Sequence, residues 1–210
     1  MDSKEHSAFR HALIERFAAS RKIGFEAWHD GLGYEIALIH EASTEERAAI
    51  ETLLLASPVA DWRDVEALAT LATPRAQKAL REVLAGTNNT LKIAVHRYAP
   101  ELAQESERAA TLVFLLETAT FFHGLSQALD QVEVFHPPAV IEALWRGVQG
   151  REGEVAVHFA AMLLFLHGQA ETAFDIQQRP FFLRFASDGQ SDREAALHEL
   201  RERVGKRRSL

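Results

Sequence analysis

Hydrophobic residues recur along the chain with the spacing of α-helices. In residues 61–72, 74–85, 89–99 and 138–149 the apolar positions fall three and four apart, which gives each segment one wide apolar stripe. No stretch shows the sustained alternation typical of strands. Alanine and leucine, both strong helix formers, make up 59 of the 210 residues. The sequence therefore predicts an all-α protein.

Capping residues mark where several of these helices begin and end. The segments 43–46 and 191–194 both have the Ser-x-x-Glu spacing of a capping box. Thr73 followed by Pro74 is typical of an N-cap with proline in the first helical position. Gly86 is placed to end the helix that begins there. The prolines all fall between the apolar stripes, so they separate helices rather than interrupt them.

The predicted helices pair with a nearly constant period. The first members of successive pairs start 27 to 33 residues apart. The pairs are 33–41 with 44–56, 61–72 with 74–85, 88–98 with 105–116, 119–134 with 138–149, and 152–167 with 191–204. A repeat of about 30 residues that contains two antiparallel helices is the signature of an α-solenoid. An irregular helical bundle is the alternative.

Three stretches of this core resemble consecutive HEAT repeats of the short bacterial kind. They are residues 61–68 (DWRDVEAL), 73–76 (TPRA) and 91–98 (LKIAVHRY). The resemblance covers about residues 33–170 and brings no catalytic motif with it. It implies a right-handed α-solenoid of about five HEAT-like helix pairs.

The two ends of the chain depart from the repeat and are expected to cap it. Residues 1–32 would form an N-terminal helical cap, with an amphipathic helix over about 7–19. Residues 171–210 would form a C-terminal cap with an aromatic loop and a final helix. The core of that cap is expected to contain Phe181, Phe182 and Phe185. Caps and repeats would belong to one structural domain.

Composition and charge exclude several kinds of protein. The chain has no cysteine, which rules out disulfides, thiolate metal sites and a cysteine nucleophile. Its net charge of −7 argues against a dedicated nucleic-acid binder. The mixed-charge start shows no secretory signal, and the longest apolar stretch, residues 155–166, is shorter than the roughly 20 residues that span a membrane. We therefore expect a cytoplasmic protein that does not contact a membrane.

The ten histidines do not predict a metal site. Glu154 and His158, four residues apart on one helix, could bind an ion from the same face. His167 would point to the opposite side of that helix. His-Glu dipeptides at 40–41 and 198–199 resemble those of HEAT-like di-iron hydroxylases, but they lie near opposite ends of the chain.

No phosphate loop, GxSxG or HExxH motif occurs. We expect no catalysis, no cofactor and no obligate small molecule.

A nucleic-acid-processing role is a second class of function, because some HEAT-like proteins are DNA glycosylases. Arg75, Lys78 and Arg81 lie three apart along one predicted helix and could line part of a basic groove. Acidic residues of neighbouring helices, such as Glu51 and Glu142, would repel phosphate. We therefore do not expect nucleic-acid binding, and we regard the two arginines as candidate contacts to a protein partner.

The strongest charge asymmetry lies in residues 109–178, which contain eight acidic and two basic side chains, a net −6. One interpretation is that the acids only keep an apolar segment soluble. The functional interpretation is an acidic surface that attracts a basic protein partner. Trp145 beside Arg146 has the composition of an interface hot spot if it is exposed. The candidate partner-binding residues are Asp130, Glu133, Glu142, Trp145, Arg146, Arg75 and Arg81.

The role that these features favour is a non-enzymatic protein-binding module. Small bacterial proteins of this kind include immunity proteins, which neutralise a cognate toxin by occluding its active site. The sequence predicts a one-to-one complex with a basic toxin domain. A general adaptor or scaffold is the first alternative, and a glycosylase-like protein is the second.

Overall fold

The computed structural model describes residues 3–118, 120 and 124–205, and its elements are helical throughout these ranges. The α-helices are α1 (Ser3–Ser20), α2 (Phe25–His29), α3 (Ala37–Glu41), α4 (Thr44–Leu54), α5 (Trp62–Leu71), α6 (Pro74–Ala85), α7 (Asn89–Tyr98), α8 (Glu105–Thr118), α9 (Leu125–Val134), α10 (Pro138–Gly150), α11 (Glu154–Leu166), α12 (Arg179–Phe182) and α13 (Gln190–Gly205). Short 3₁₀ turns cover Pro100–Leu102, Ile176–Gln178 and Leu183–Ala186. The described residues contain no strand, only an isolated bridge between Thr120 and Gly124. The prediction of an all-α protein is confirmed.

The predicted helix boundaries agree to within two residues with α4, α5, α6, α7, α8, α10, α11 and α13. The caps explain this agreement. The Ser43 hydroxyl accepts from the Glu46 amide, and the Glu46 carboxylate accepts from the Ser43 amide at 2.7 Å, which is the predicted capping box. At the start of α6 the Thr73 hydroxyl accepts from the Ala76 amide, and at its end the Gly86 amide donates to the Glu82 and Val83 carbonyls. The start of the predicted helix 119–134 lies in part outside the described residues.

The second predicted capping box, at 191–194, is wrong. Helix α13 begins one residue earlier, so Ser191 lies within its first turn. The Gly189 carbonyl accepts from the amides of Asp192 and Arg193, and the Gly189 amide donates to the Ser187 hydroxyl. Glu194 accepts from the Gln190 side chain at 2.8 Å. A glycine turn held by Ser187 therefore starts the helix before Ser191 can cap it.

The helices form two compact units, residues 1–104 and 105–210. In the first unit α5 is central and packs against α3, α4, α6 and α7, while α1 packs against α4. Its core is fully buried and apolar, with Phe17, Ile50, Val65, Leu68 and Leu80 among its members. Burial of this kind is the main source of stability for the unit.

The second unit is built around α11, which is buried over most of its length. Its neighbours are α9, α10, α12, α13 and the turn at Leu183–Ala186, so apolar residues are required on all sides of it. The contact with α10 is especially close: a Cβ added to Gly147 would lie 2.3 Å from two ring atoms of Phe159. No helix within the described ranges is both long and apolar enough to cross a membrane.

The C-terminal region is more regular than the predicted aromatic loop. Pro180 occupies the first turn of α12, and the 3₁₀ turn that follows continues the helical path. Phe181, Phe182 and Phe185 are buried, as expected, and the rings of Phe181 and Phe185 meet edge to face at 5.5 Å. The outer ends of the two predicted caps, residues 1, 2 and 206–210, lie outside the described residues.

Packing within each unit follows the predicted pairs only in part. Helices α5 and α6 pack together as one predicted pair. The main partners of α10, however, are α8 and α11, and those of α9 are the same two helices. The solenoid order and the division into 1–32, 33–170 and 171–210 therefore stay predictions.

Candidate functional site

Two of the predicted contact residues lie on one exposed face of α9. Asp130 and Glu133 are exposed, and Val134, four residues after Asp130, is 71% exposed. Residues three and four apart share a helix face. Glu133 makes no ion pair with any described residue. The opposite face of α9 carries Leu125, Ala128 and Val132, which are buried. This face of α9 is thus acidic with one apolar side chain.

Three further predicted residues lie on α10, where they diverge. Glu142 and Arg146 are exposed, and Trp145 is half-buried. Consecutive helix positions point about 100° apart, so Trp145 and Arg146 leave α10 in different directions. Arg146 turns towards α8, where its Nη2 lies 2.7 Å from the Glu117 carboxylate. Trp145 is thus only partly exposed and Arg146 is engaged with α8, and the Trp-Arg contact stays a prediction.

Helices α9 and α10 contact different sides of α8. On one side Arg108 donates to the Gln131 side chain of α9 at 3.0 Å. On the other side Glu117 accepts from Arg146 of α10. Arg108 and Glu117 are nine residues apart, about 900° of helical rotation, which places them on opposite sides of α8. The structure therefore does not bring Asp130 and Glu133 together with Glu142 and Arg146.

The exposed face of α8 contributes an apolar residue that the sequence reasoning missed. Phe114 is 49% exposed and lies three residues before Glu117 on the same face. Its neighbours in sequence Leu112, Leu115 and Leu116 are buried. The sequence pattern could have identified Phe114 and Val134 as exposed apolar residues, because each lies off the apolar stripe of its helix.

The other two candidates, Arg75 and Arg81, lie on α6 in the first unit and are exposed. Arg75 lies 3.3 Å from the Glu51 carboxylate, which is buried and also accepts from the Thr73 hydroxyl. Lys78, between the two arginines, faces Glu82 at 3.9 Å. Part of the predicted basic row is therefore paired with acids of its own unit.

The acidic segment 109–178 presents its charge outward. Seven of its eight acids are exposed, and only Asp175 is half-buried. Both of its arginines are engaged within the protein: Arg146 pairs with Glu117, and Arg151 donates to the carbonyls of Leu116 and Glu117 at 3.1 and 2.8 Å. The segment keeps its net charge of −6, although Glu117 is paired with Arg146 and Glu152 is paired with Arg193, which lies outside the segment.

The candidate metal pair on α11 lies in an aromatic environment. The His158 ring lies 5.0 Å from the ring of Phe174. Burial lowers the pKa of His158 from its ordinary value of 6.5, while Glu154 opposes that shift. In the described part of the chain, no three His, Asp or Glu residues are close enough to hold a metal ion together.

A polar cavity in the first unit was not predicted. Its volume is about 400 Å³, and its wall includes Arg21, Tyr34, Asp61 and Arg63 together with the apolar Ile23 and Phe25. Arg63 is only 3% exposed although it is charged. Arg63 and Asp64 stand on the buried side of α5 next to Val65, and this was the available sequence signal.

The chain matches no protein-family model, no curated protein and no solved structure. The resemblance to HEAT repeats and the role that it implies therefore stay predictions.

Proposed function

We propose that the protein acts by binding a basic protein partner, and that the partner docks on the acidic surface of the second unit. One observation carries this proposal: the acids of segment 109–178 are exposed while both of its arginines are engaged internally. Such a surface attracts a positively charged partner over several ångströms and raises its association rate.

The specific form that we favour is an immunity protein that neutralises a cognate bacterial toxin by covering its active site in a one-to-one complex. Phe114 and Val134 support a contact of this type, because each is an exposed apolar side chain beside an acid. In such interfaces charges govern the association rate, whereas well-packed side chains govern the dissociation rate.

The test begins with the partner that the tagged, full-length protein retains from its own cells. Association and dissociation rates are then measured for the wild type, Glu133→Lys and Glu142→Lys at low and high salt. Glu101→Lys is the matched control, since it makes the same charge change at an exposed acid of the first unit. We expect either second-unit reversal to slow association several-fold at low salt. The effect should vanish near 1 M salt, where the screening length is about 3 Å.

The outcomes separate the candidate roles. One stoichiometric partner that is toxic when expressed alone, and harmless with this protein, supports the immunity role. Many weak partners would indicate an adaptor instead. If both second-unit reversals behave like Glu101→Lys, the acidic surface is not the docking site and the proposal fails.

A further inference from the structure

The polar cavity of the first unit has hydrogen-bond donors without acceptors. The Nη1 group of Arg63 donates to both carboxylate oxygens of Asp61 at 3.1 Å, and its Nε donates to the Leu32 carbonyl. Its remaining amino group, Nη2, donates to no residue that the structure describes. A guanidinium has five N–H donors and no acceptor, so the two donors on Nη2 remain open to solvent or to a ligand.

Arg21 is in a similar position. Its Nη1 donates to the Leu53 carbonyl at 2.9 Å, and its Nη2 lies 3.7 Å from Asp64, too far for a good hydrogen bond. Its Nε is buried and has no acceptor within the described ranges. Because that Nε is enclosed, the donors that remain open at the cavity are the Nη2 groups of Arg21 and Arg63.

The acids around the cavity, in contrast, already accept from protein donors on both of their oxygens. The Asp61 carboxylate accepts from the Nη1 group of Arg63 and from the backbone amide of Arg63. Asp64 accepts from the Tyr34 hydroxyl at 3.0 Å on one oxygen and from the Ala60 amide at 3.3 Å on the other. The site thus lacks acceptors rather than donors, and an acceptor-rich anion is the ligand that would satisfy it.

Charge and shape narrow the class of anion. Asp61 and Asp64 offset the charges of Arg63 and Arg21, so hydrogen bonding rather than net charge would hold a ligand here, and each added negative charge is repelled by the two acids. A singly charged group is therefore disfavoured less than a dianion. Ile23 and Phe25, the latter 76% exposed, give the wall an apolar side. A volume of about 400 Å³ suits a small organic molecule. We propose that this cavity binds a small carboxylate, with its charged end on Arg21 and Arg63 and its apolar body against Ile23 and Phe25.

This inference is independent of the docking surface and is tested separately. Full-length protein with ¹⁵N-labelled arginine is titrated with benzoate, and the Nε–Hε resonances of Arg21 and Arg63 are followed by NMR. Benzyl alcohol serves as the uncharged counterpart, and inorganic phosphate serves as an anion without an apolar body. We expect a saturable shift of both resonances with benzoate and none with benzyl alcohol. Equal responses to both, or phosphate binding as tightly as benzoate, would overturn the assignment.

Two variants locate the site. Arg21→Gln should weaken benzoate binding roughly tenfold or more, because it removes a charge-assisted hydrogen bond. Arg16→Gln, the same change at an exposed arginine of α1 five residues earlier, should leave affinity unchanged. Phe25→Ala should weaken benzoate about threefold but not acetate, which has no ring to lose contact. A wild-type affinity of the Phe25→Ala variant for benzoate would contradict the proposed orientation.

Discussion

The close contact between α10 and α11 makes the replacement of Gly147 by alanine the sharpest stability test in the second unit. The new Cβ would lie 2.3 Å from Cδ2 and Cε2 of Phe159, whereas carbon atoms in contact are ordinarily about 3.5–4.0 Å apart. Phe159 is fully buried on the central helix, and protein interiors are densely packed, so movement of its ring requires its neighbours to move as well. Either the ring or the helix must shift by more than an ångström.

Two opposing terms set the expected magnitude. Alanine is favoured over glycine within a helix by about 1 kcal/mol. Overpacking of a dense core typically costs about 1–3 kcal/mol. An overlap of this size against a fully buried ring falls at the upper end of that range. We therefore expect Gly147→Ala to lower the free energy of unfolding by about 1–2 kcal/mol, measured by urea denaturation followed by circular dichroism.

Gly150→Ala is the matched control, since Gly150 ends the same helix and a Cβ added to it would meet nothing within 4 Å. It should be neutral or slightly stabilising. The double variant Gly147→Ala with Phe159→Leu should be more stable than the sum of the two single losses, because leucine removes the ring atoms that clash. If Gly147→Ala is as stable as Gly150→Ala, the tight α10–α11 contact does not exist as described.

Three other changes have expected outcomes. Ser43→Ala removes the hydroxyl that caps α4 and should lower the free energy of unfolding by about 1 kcal/mol. Thr44→Ala is the control, because Thr44 is the next residue and is not the cap. Burial lowers the pKa of His158 in the folded protein, so the unfolded chain binds a proton on this residue at a higher pH than the folded protein does. The contribution of His158 to stability should therefore be complete above the ordinary pKa of 6.5 and should decrease as the pH falls below that value. His158→Gln should reduce this pH dependence of the unfolding free energy, measured by denaturation at several pH values. Burial raises the pKa of Glu66, so the effect of this residue on stability has the opposite pH dependence. Its contribution is complete below the ordinary pKa of 4.5 and decreases as the pH rises above that value. Glu66→Gln should remove this loss of stability in the same denaturation series.

The helices could be predicted from the sequence because their signals are local. The stripe of α6 lies between Thr73-Pro74 and Gly86, and all three act on backbone groups within one turn of the helix. The error at Ser191 has a local cause too: the Gly189 turn competes for the same helix start, and two cap signals two residues apart cannot be ranked by spacing alone. Helix identity was therefore predictable where a single cap signal was present.

Helix packing could not be read in the same way, because it depends on partners far apart in sequence. Order along the chain suggests that α9 packs on α10, but the main partners of both are α8 and α11. The polar cavity shows the same limit: Arg21 and Arg63 come to line it only through the packing of the first unit, and 42 positions separate them in the sequence. Single charged residues on the buried side of α5 were the only sign that such a site exists.

The separation of α9 from α10 also constrains what can dock on the second unit. Packed helices lie about 8–10 Å apart, so faces on either side of α8 are separated by roughly 20 Å. A short peptide bound along one helix would be sensitive to charge reversal at Glu133 or at Glu142 but not at both. A folded basic domain is large enough to cover Phe114 and reach acids on each side of it. Slower association in both Glu133→Lys and Glu142→Lys would therefore identify the partner as a folded domain that crosses α8, as an occluded toxin domain would.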